Sequence, residues 1–413
     1  MRKTGFTTTI LHSDRRQQVE HGAVHKPMHP SSQYVYDDAR ELAAVFQGKP
    51  GFTYARQGTP TTAALEAKIT QMEEGLASVT FATGMAALAA VFMTLLRRGD
   101  HLVSSQYIFG NTNSLLGTLA DLGVDVTVVD ATDAQAVRAA LRPETRMVFA
   151  ETIANPGTQI ADLAGIGELC RERGLVYLLD NTLTSPWLFK GREAGASLVM
   201  NSLSKYIGGH ANALGGSITE TGLFDWSGYA NILDTYRKGA PSGWGLTQVK
   251  KKGLRDMGGT LAAEAAHRIA VGAETLAMRM DRACGNAMAL ARHLSGRAGI
   301  ARVLYPGLPE HPQHARAGQL FGGRYGALMG VELAPGIDCF DFLNRLQVVA
   351  LATHLGDTRT LALPAAHTIY HEMGPQRRAQ MGIADGLIRV SVGIEDEADL
   401  LADFDAALSA CGA

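Results

Sequence analysis

Between residue 79 and about residue 218, short apolar runs alternate with stretches in which apolar residues recur every three or four positions. The runs predict strands at 79–81, 101–104, 124–129, 146–150, 175–179 and 197–201, and the periodic stretches predict helices at 85–96, 112–122, 134–141 and 163–173. Strands that are apolar throughout, each followed by an amphipathic helix, describe an α/β fold with a mostly parallel sheet covered on both faces. Upstream, Thr59-Pro60 opens a helix with Leu65, Ile69 and Met72 on one face and proline at its first position. From 219 to 260 the pattern loosens around Gly239-Ala240-Pro241-Ser242-Gly243, and the run Lys250-Lys251-Lys252 reads as a solvated face. An alanine-rich helix over 261–280 then leads into a smaller α+β part with strands at 326–333 and 387–392. The expected division is an N-terminal arm over 1–58, a large domain over 59–258 and a C-terminal domain over 259–413.

Composition narrows the class. The 413 residues carry a formal net charge of −2, with 46% hydrophobic and only 19% charged residues. That balance gives no basic footprint for nucleic acid and suggests that part of the surface is covered by another subunit. The four cysteines, Cys170, Cys284, Cys339 and Cys411, lie far apart with no Cys-x-x-Cys, so neither zinc nor a disulfide framework is suggested. His21, His25 and His29 fall at helical spacing, but Gly22, Pro27 and Pro30 break that helix, so the expectation is histidines along an extended arm and no metal. No apolar run reaches the roughly 18 residues of a membrane span, and residues 1–14 lack the apolar core of a signal peptide. A soluble cytoplasmic protein with no membrane partner is expected.

The candidate chemistry gathers at Ser202-Leu203-Ser204-Lys205-Tyr206-Ile207-Gly208-Gly209-His210. A lysine between hydroxyls and glycines can act as a covalent amine if its charge is suppressed or its nitrogen is held as an imine. Alone, Lys205 reads equally as a surface lysine. The strand over 175–179 ends in Asp180, and a Schiff-base lysine with a carboxylate aimed at a pyridinium nitrogen is what pyridoxal phosphate requires. The rival Ser-x-x-Lys pattern of penicillin-binding hydrolases needs Ser-Asp-Asn and then Lys-Thr-Gly downstream; there is no Ser-Asp-Asn, and Lys3-Thr4-Gly5 lies upstream. Ligands of such sheets sit at the carboxyl ends of strands, where Glu151, Asn155, Asp180 and the Lys205 loop all fall. Thr83-Gly84-Met85 joins a strand to an apolar helix whose first N–H groups can bind a phosphate. Tyr54 and Arg56, two apart on a stretch read as extended, can address one phosphate together. Arg389, alone in an apolar strand, is either an edge residue or a fork for a carboxylate.

In this order the pieces resemble the pyridoxal-phosphate enzymes of cysteine and methionine metabolism: cystathionine γ-synthase, the cystathionine lyases, methionine γ-lyase and the O-acylhomoserine sulfhydrylases. The resemblance runs from about residue 20 to 405. It implies an aspartate-aminotransferase-type (fold type I) architecture, assembled as a dimer or a homotetramer of dimers. By position, Lys205 matches the cofactor-bearing lysine and Asp180 the partner of the ring nitrogen. Gly84, Met85, Ser202 and Ser204 match the phosphate cradle, and Tyr54 and Arg56 the pair that reaches it from a neighbouring subunit. Phe109 matches the aromatic stacked on the ring, Asn155 a residue near the cofactor oxygen, and Arg389 the holder of the substrate carboxylate.

Leu355-Gly356-Asp357-Thr358-Arg359-Thr360 resembles the Gly-Asp form of sulfhydrylases and methionine γ-lyase, where cystathionine enzymes more often have Gly-Gly. Asn111 stands where the lyase has its cysteine, and Phe109 where many members have tyrosine, a form seen in O-succinylhomoserine sulfhydrylase-like sequences. The resemblance therefore favours an O-acylhomoserine sulfhydrylase in methionine biosynthesis, acting on a small amino-acid ester, with cystathionine γ-synthase or a γ-lyase as the alternative. Three departures stand out. The family's serine, which helps to position the lysine and substrate, falls at Ala366; its Ser-Pro reads Ala262-Ala263; and the stretch 234–259 is longer than usual.

Overall fold

A computed structural model describes residues 4–14 and 19–412; Lys3 of the Lys3-Thr4-Gly5 run lies outside the described residues. Seven strands form the large sheet: β1 (Ala77–Phe81), β2 (His101–Ser105), β3 (Asp125–Val129), β4 (Thr145–Glu151), β5 (Val176–Asp180), β6 (Leu198–Asn201) and β7 (Gly216–Glu220), in the order β1-β7-β6-β5-β4-β2-β3. Pairing from β3 through β6 is parallel, and β7 runs antiparallel to both its neighbours. The side-chain period of two explains why these strands are apolar throughout. On β5, Tyr177 and Leu179 enter one buried cluster while Val176 and Leu178 enter the cluster on the opposite face. The helices Gly84–Leu95 and Leu163–Arg173 fall within a residue of the expected bounds.

A second, five-stranded sheet is built from β8 (Ile300–Leu304), β9 (Leu328–Leu333), β10 (Ala350–Leu351), β11 (Leu361–Pro364) and β12 (Leu387–Ser391), ordered β10-β11-β12-β9-β8. Only β10 and β11 pair in parallel. Four strands escape the sequence pattern: β7 begins on glycine and ends on a buried glutamate, β8 is only partly buried, and β10 and β11 are short, β11 ending on proline.

The expected single helix over 261–280 is two helices, Ala263–Ala273 and Leu276–Leu294. At the break, Thr275 Oγ1 donates to the Gly272 carbonyl at 3.2 Å and Lys68 Nζ donates to Glu274 at 3.1 Å. The region 219–260 holds short 3₁₀ turns and a helix, Trp244–Gln248, that widens into a π turn over Val249–Asp256. The lysine run sits in that π turn, and its residues are partly buried rather than fully solvated, with Lys252 Nζ 2.6 Å from Asp256.

The N-terminal segment divides. The helix Phe6–Leu11 buries Ile10 in the chain's own core, whereas Val35 (93% exposed) and Phe46 (72%) are left open by the segment that follows. His21 lies in a 3₁₀ turn, and His25 Nε2 is 3.1 Å from Glu274. Asp14, His25 and Glu274 each bring a ligand-type atom within 4.8 Å of the others, but the buried ammonium of Lys68 already faces both carboxylates, 3.7 Å from Asp14 and 3.1 Å from Glu274.

Candidate active site

The carboxyl ends of the parallel strands open onto a cavity of about 410 Å³. Glu151 and Asp180 are the last residues of β4 and β5 and stand side by side in register, so both carboxylates reach the same rim. The chain leaves β6 at Asn201 and turns immediately, which carries Ser202, Ser204 and Lys205 to that rim. Gly84, Met85, Phe109 and Asn155 line the same cavity, and Arg389 enters from β12 of the smaller sheet.

Each group is prepared by its surroundings. Burial, and after it the charge of Arg389, lowers the Lys205 amine to about 8. Burial raises Asp180 to about 6, although Thr182 N donates to it at 2.9 Å. Glu151 is held well above the ordinary carboxylate range by burial and by Asp180, and accepts the Phe109 N–H at 2.7 Å. Arg389, 1% exposed, donates through Nη2 to the carbonyls of Thr353 (2.9 Å) and His354 (2.8 Å), while its Nε has no partner. Asn155 Oδ1 is likewise buried and unpartnered, and the Asn155 carbonyl accepts the Tyr370 hydroxyl. At the start of Gly84–Leu95 the Thr83 hydroxyl caps only Ala86 N, at 3.0 Å, leaving the Gly84 and Met85 N–H groups to face the cavity end. A Cβ at Gly84 would lie 2.7 Å from Met200 Cε and 3.1 Å from Ser202 Cβ, so a larger residue there would push on the Met200 side chain and on Ser202.

Three sequence candidates do not join this cavity. Tyr54 and Arg56 line a separate depression of about 420 Å³ with Ala262 and Ala263. Their stretch is not extended throughout: Ala55–Gln57 is a 3₁₀ turn, which brings the Arg56 guanidinium 5.4 Å from the Tyr54 ring centre. Ala366 is buried in a small cluster with Leu363, Ala365 and Tyr370 and does not line the cavity. The sequence reading, conversely, passed over two side chains that act on the lysine loop. His354 Nδ1 lies 3.2 Å from Lys205 Nζ. Arg279, buried, donates to the carbonyls of Tyr206 (2.7 Å) and Ile207 (3.1 Å), just after the lysine. Its Nε also donates to Thr275 Oγ1 at 3.0 Å, and no periodicity announces these contacts.

The chain matches the family model described as Cys/Met metabolism PLP-dependent enzyme over residues 7–409. The chain belongs to that family. It is 34% identical to an L-methionine gamma-lyase from Pseudomonas putida over 410 residues, 98% of each chain. It is also 34% identical to O-acetyl-L-homoserine sulfhydrylase 1 from Thermus thermophilus, covering 98% of this chain and all of that one. Its fold superposes on the crystal structure of a cystathionine gamma-lyase from Lactobacillus plantarum complexed with L-serine at a TM-score of 0.88, with 31% identity over 99% of this chain and 100% of that one. The fold is type I α/β, and the protein is a pyridoxal-phosphate-dependent enzyme.

The residues present fit that cofactor. The free N–H groups at Gly84 and Met85, with Ser202 alongside, suit its phosphate, and Gly84 lets the helix start lie close against Ser202. Asp180 is a half-buried carboxylate facing a cavity in which a ring N–H⁺ would give it a cationic partner. The unpartnered Asn155 Oδ1 and Arg389 Nε are the buried polar atoms that a ligand would satisfy.

Proposed function

We propose that this enzyme carries out γ-replacement on an O-acylhomoserine, the succinyl or acetyl ester, with sulfide or a thiol, giving homocysteine or a thioether for methionine biosynthesis. The observation that carries the proposal is Phe109 at the cavity wall: among this chain's described lining residues there is no tyrosine, so no phenol of this chain takes the place of a general acid beside the leaving group. A carboxylate departs from Cγ without that help, whereas a thiolate needs it. The family likeness is neutral on this point, because the lyase and the sulfhydrylase from the two organisms above are equally identical to this chain.

Bound pyridoxal phosphate supplies an electron sink that makes the substrate's α-proton removable. The chain's own groups do the rest. Asp180 would stand as a carboxylate against the protonated ring nitrogen, and that positive charge would oppose the burial that raises Asp180. Lys205, lowered to about 8, is poised to take a proton from Cα or Cβ as base and to return one as acid. Arg389 forks the substrate carboxylate, with two backbone carbonyls fixing its orientation. Loss of the Cβ proton lets the γ-acyloxy group leave as a carboxylate, and sulfide then forms the new C–S bond at Cγ.

Completion of the site by a second chain, within a dimer or a homotetramer of dimers, belongs to the same reading. Tyr54 and Arg56 lie apart from the Lys205 cavity, and the segment that precedes them in sequence leaves Val35, Leu42 and Phe46 exposed. Turnover of each ester with and without sulfide tests the reaction class: replacement requires sulfide for rapid release of the acid, while a γ-lyase forms 2-oxobutyrate and ammonia from the ester alone.

A further inference from the structure

The geometry points to His354 as a positioning residue for Lys205: an uncharged imidazole that accepts a hydrogen bond from the lysine amine and holds it over the cavity whenever that amine is not joined to the cofactor. The inference rests on Lys205 being the cofactor-bearing lysine. Its basis is the 3.2 Å contact between Lys205 Nζ and His354 Nδ1, formed by residues 149 positions apart in the chain. An amine whose only function is to carry the cofactor needs no acceptor of its own. An amine that is released, moves protons and then returns does need one.

Ala366, where the family resemblance places the serine that positions the lysine, is buried outside the cavity and has no polar atom on its side chain. His354 is the side chain that reaches the amine instead. It is held there by the loop before β11: Gly356 sits at φ +75°, and a Cβ on it would lie 2.6 Å from Tyr206 N and 3.0 Å from the Lys205 carbonyl carbon. Gly356 N donates to Ser391 Oγ at 2.9 Å, and the His354 carbonyl accepts from Arg389. The loop is thus pinned against the lysine turn on one side and against β12 on the other.

The groups around the imidazole keep it neutral. Burial, and after it the charge of Lys205, lowers His354 to about 4; Asp357 and the Ser204 backbone pull the other way, and Arg389 adds a smaller lowering. A neutral imidazole presents an acceptor at Nδ1 when Nε2 carries the proton, which is the form an ammonium donor selects.

The experiment uses the holoenzyme and glycine, an amino acid with no leaving group. Glycine displaces Lys205 from the cofactor; borohydride then fixes whichever linkage is present, and mass spectrometry counts the cofactor left on Lys205. In His354→Ala the released amine loses its acceptor, so the glycine concentration that half-displaces Lys205 should rise about tenfold, the scale of a hydrogen bond to a charged donor. His354→Asn, whose Oδ1 replaces Nδ1 as acceptor, should stay within about threefold of the parent, and both variants should keep the parent's cofactor content and thermal midpoint. An Ala variant displaced at the parent's glycine concentration overturns the role of His354, and so does an Asn variant as impaired as Ala. A parent protein that traps no cofactor on Lys205 overturns the reading of the lysine itself.

Discussion

With phenylalanine at position 109, the described lining residues of this chain include no phenol, and the Phe109 backbone N–H is already committed to Glu151. One positioned general acid contributes about 10²–10⁴ in rate, and a thiolate leaving group depends on it far more than a carboxylate does. Phe109→Tyr should therefore raise γ-elimination from methionine or cystathionine more than it changes turnover of the ester; paired rate measurements on thioether and ester check the ratio. The same scale explains which residues could be read from the chain. Lys205, Asp180 and Arg389 were legible because each is a lone charged group at or just after an apolar strand, where the period-two pattern fixes its place. His354 was not, since it lies in an aperiodic stretch and gains its meaning only from a lysine far away in sequence. Ala366 marks the limit of likeness by position: a motif can match while its side chain faces the core.

At the scale of elements, strand-end placement carried most of the site into view, because the parallel sheet delivers the ends of β4, β5 and β6 to one rim. The helix break at Glu274 and Thr275 stayed hidden, because no glycine or proline marks it in the sequence at those two positions. Arg279, one turn past the break, donates both to Thr275 Oγ1 and to the carbonyls that follow Lys205, so this stretch bears on the site as well as on the fold. The helix that precedes it starts without a cap. Ala262 is the exposed N-cap residue, in extended conformation, with no side-chain hydrogen bond to the first turn. Ala262→Ser supplies the missing acceptor and should stabilise the protein by about 1 kcal/mol, read as a higher urea midpoint at unchanged slope.

Across the whole molecule, the exposed apolar side chains of residues 24–46 and the separation of Arg56 from the Lys205 cavity both fit sites completed between chains. Arg56→Ala and Lys205→Ala proteins should each be nearly inactive. Mixed and allowed to exchange subunits, they should regain on the order of a quarter of parental activity, because half the dimers are hybrids with one intact site of two. No regain after exchange is verified, by mass spectrometry of the assembly, would assign each site to one chain.

The most direct test of the account is the competition between replacement and cleavage. The unmodified enzyme is given an O-acylhomoserine with sulfide and, separately, methionine, and homocysteine and 2-oxobutyrate are quantified. The account predicts that homocysteine forms faster than 2-oxobutyrate from the ester and that methionine is not appreciably degraded; cleavage of methionine as readily as use of either ester would contradict it and make the protein a γ-lyase.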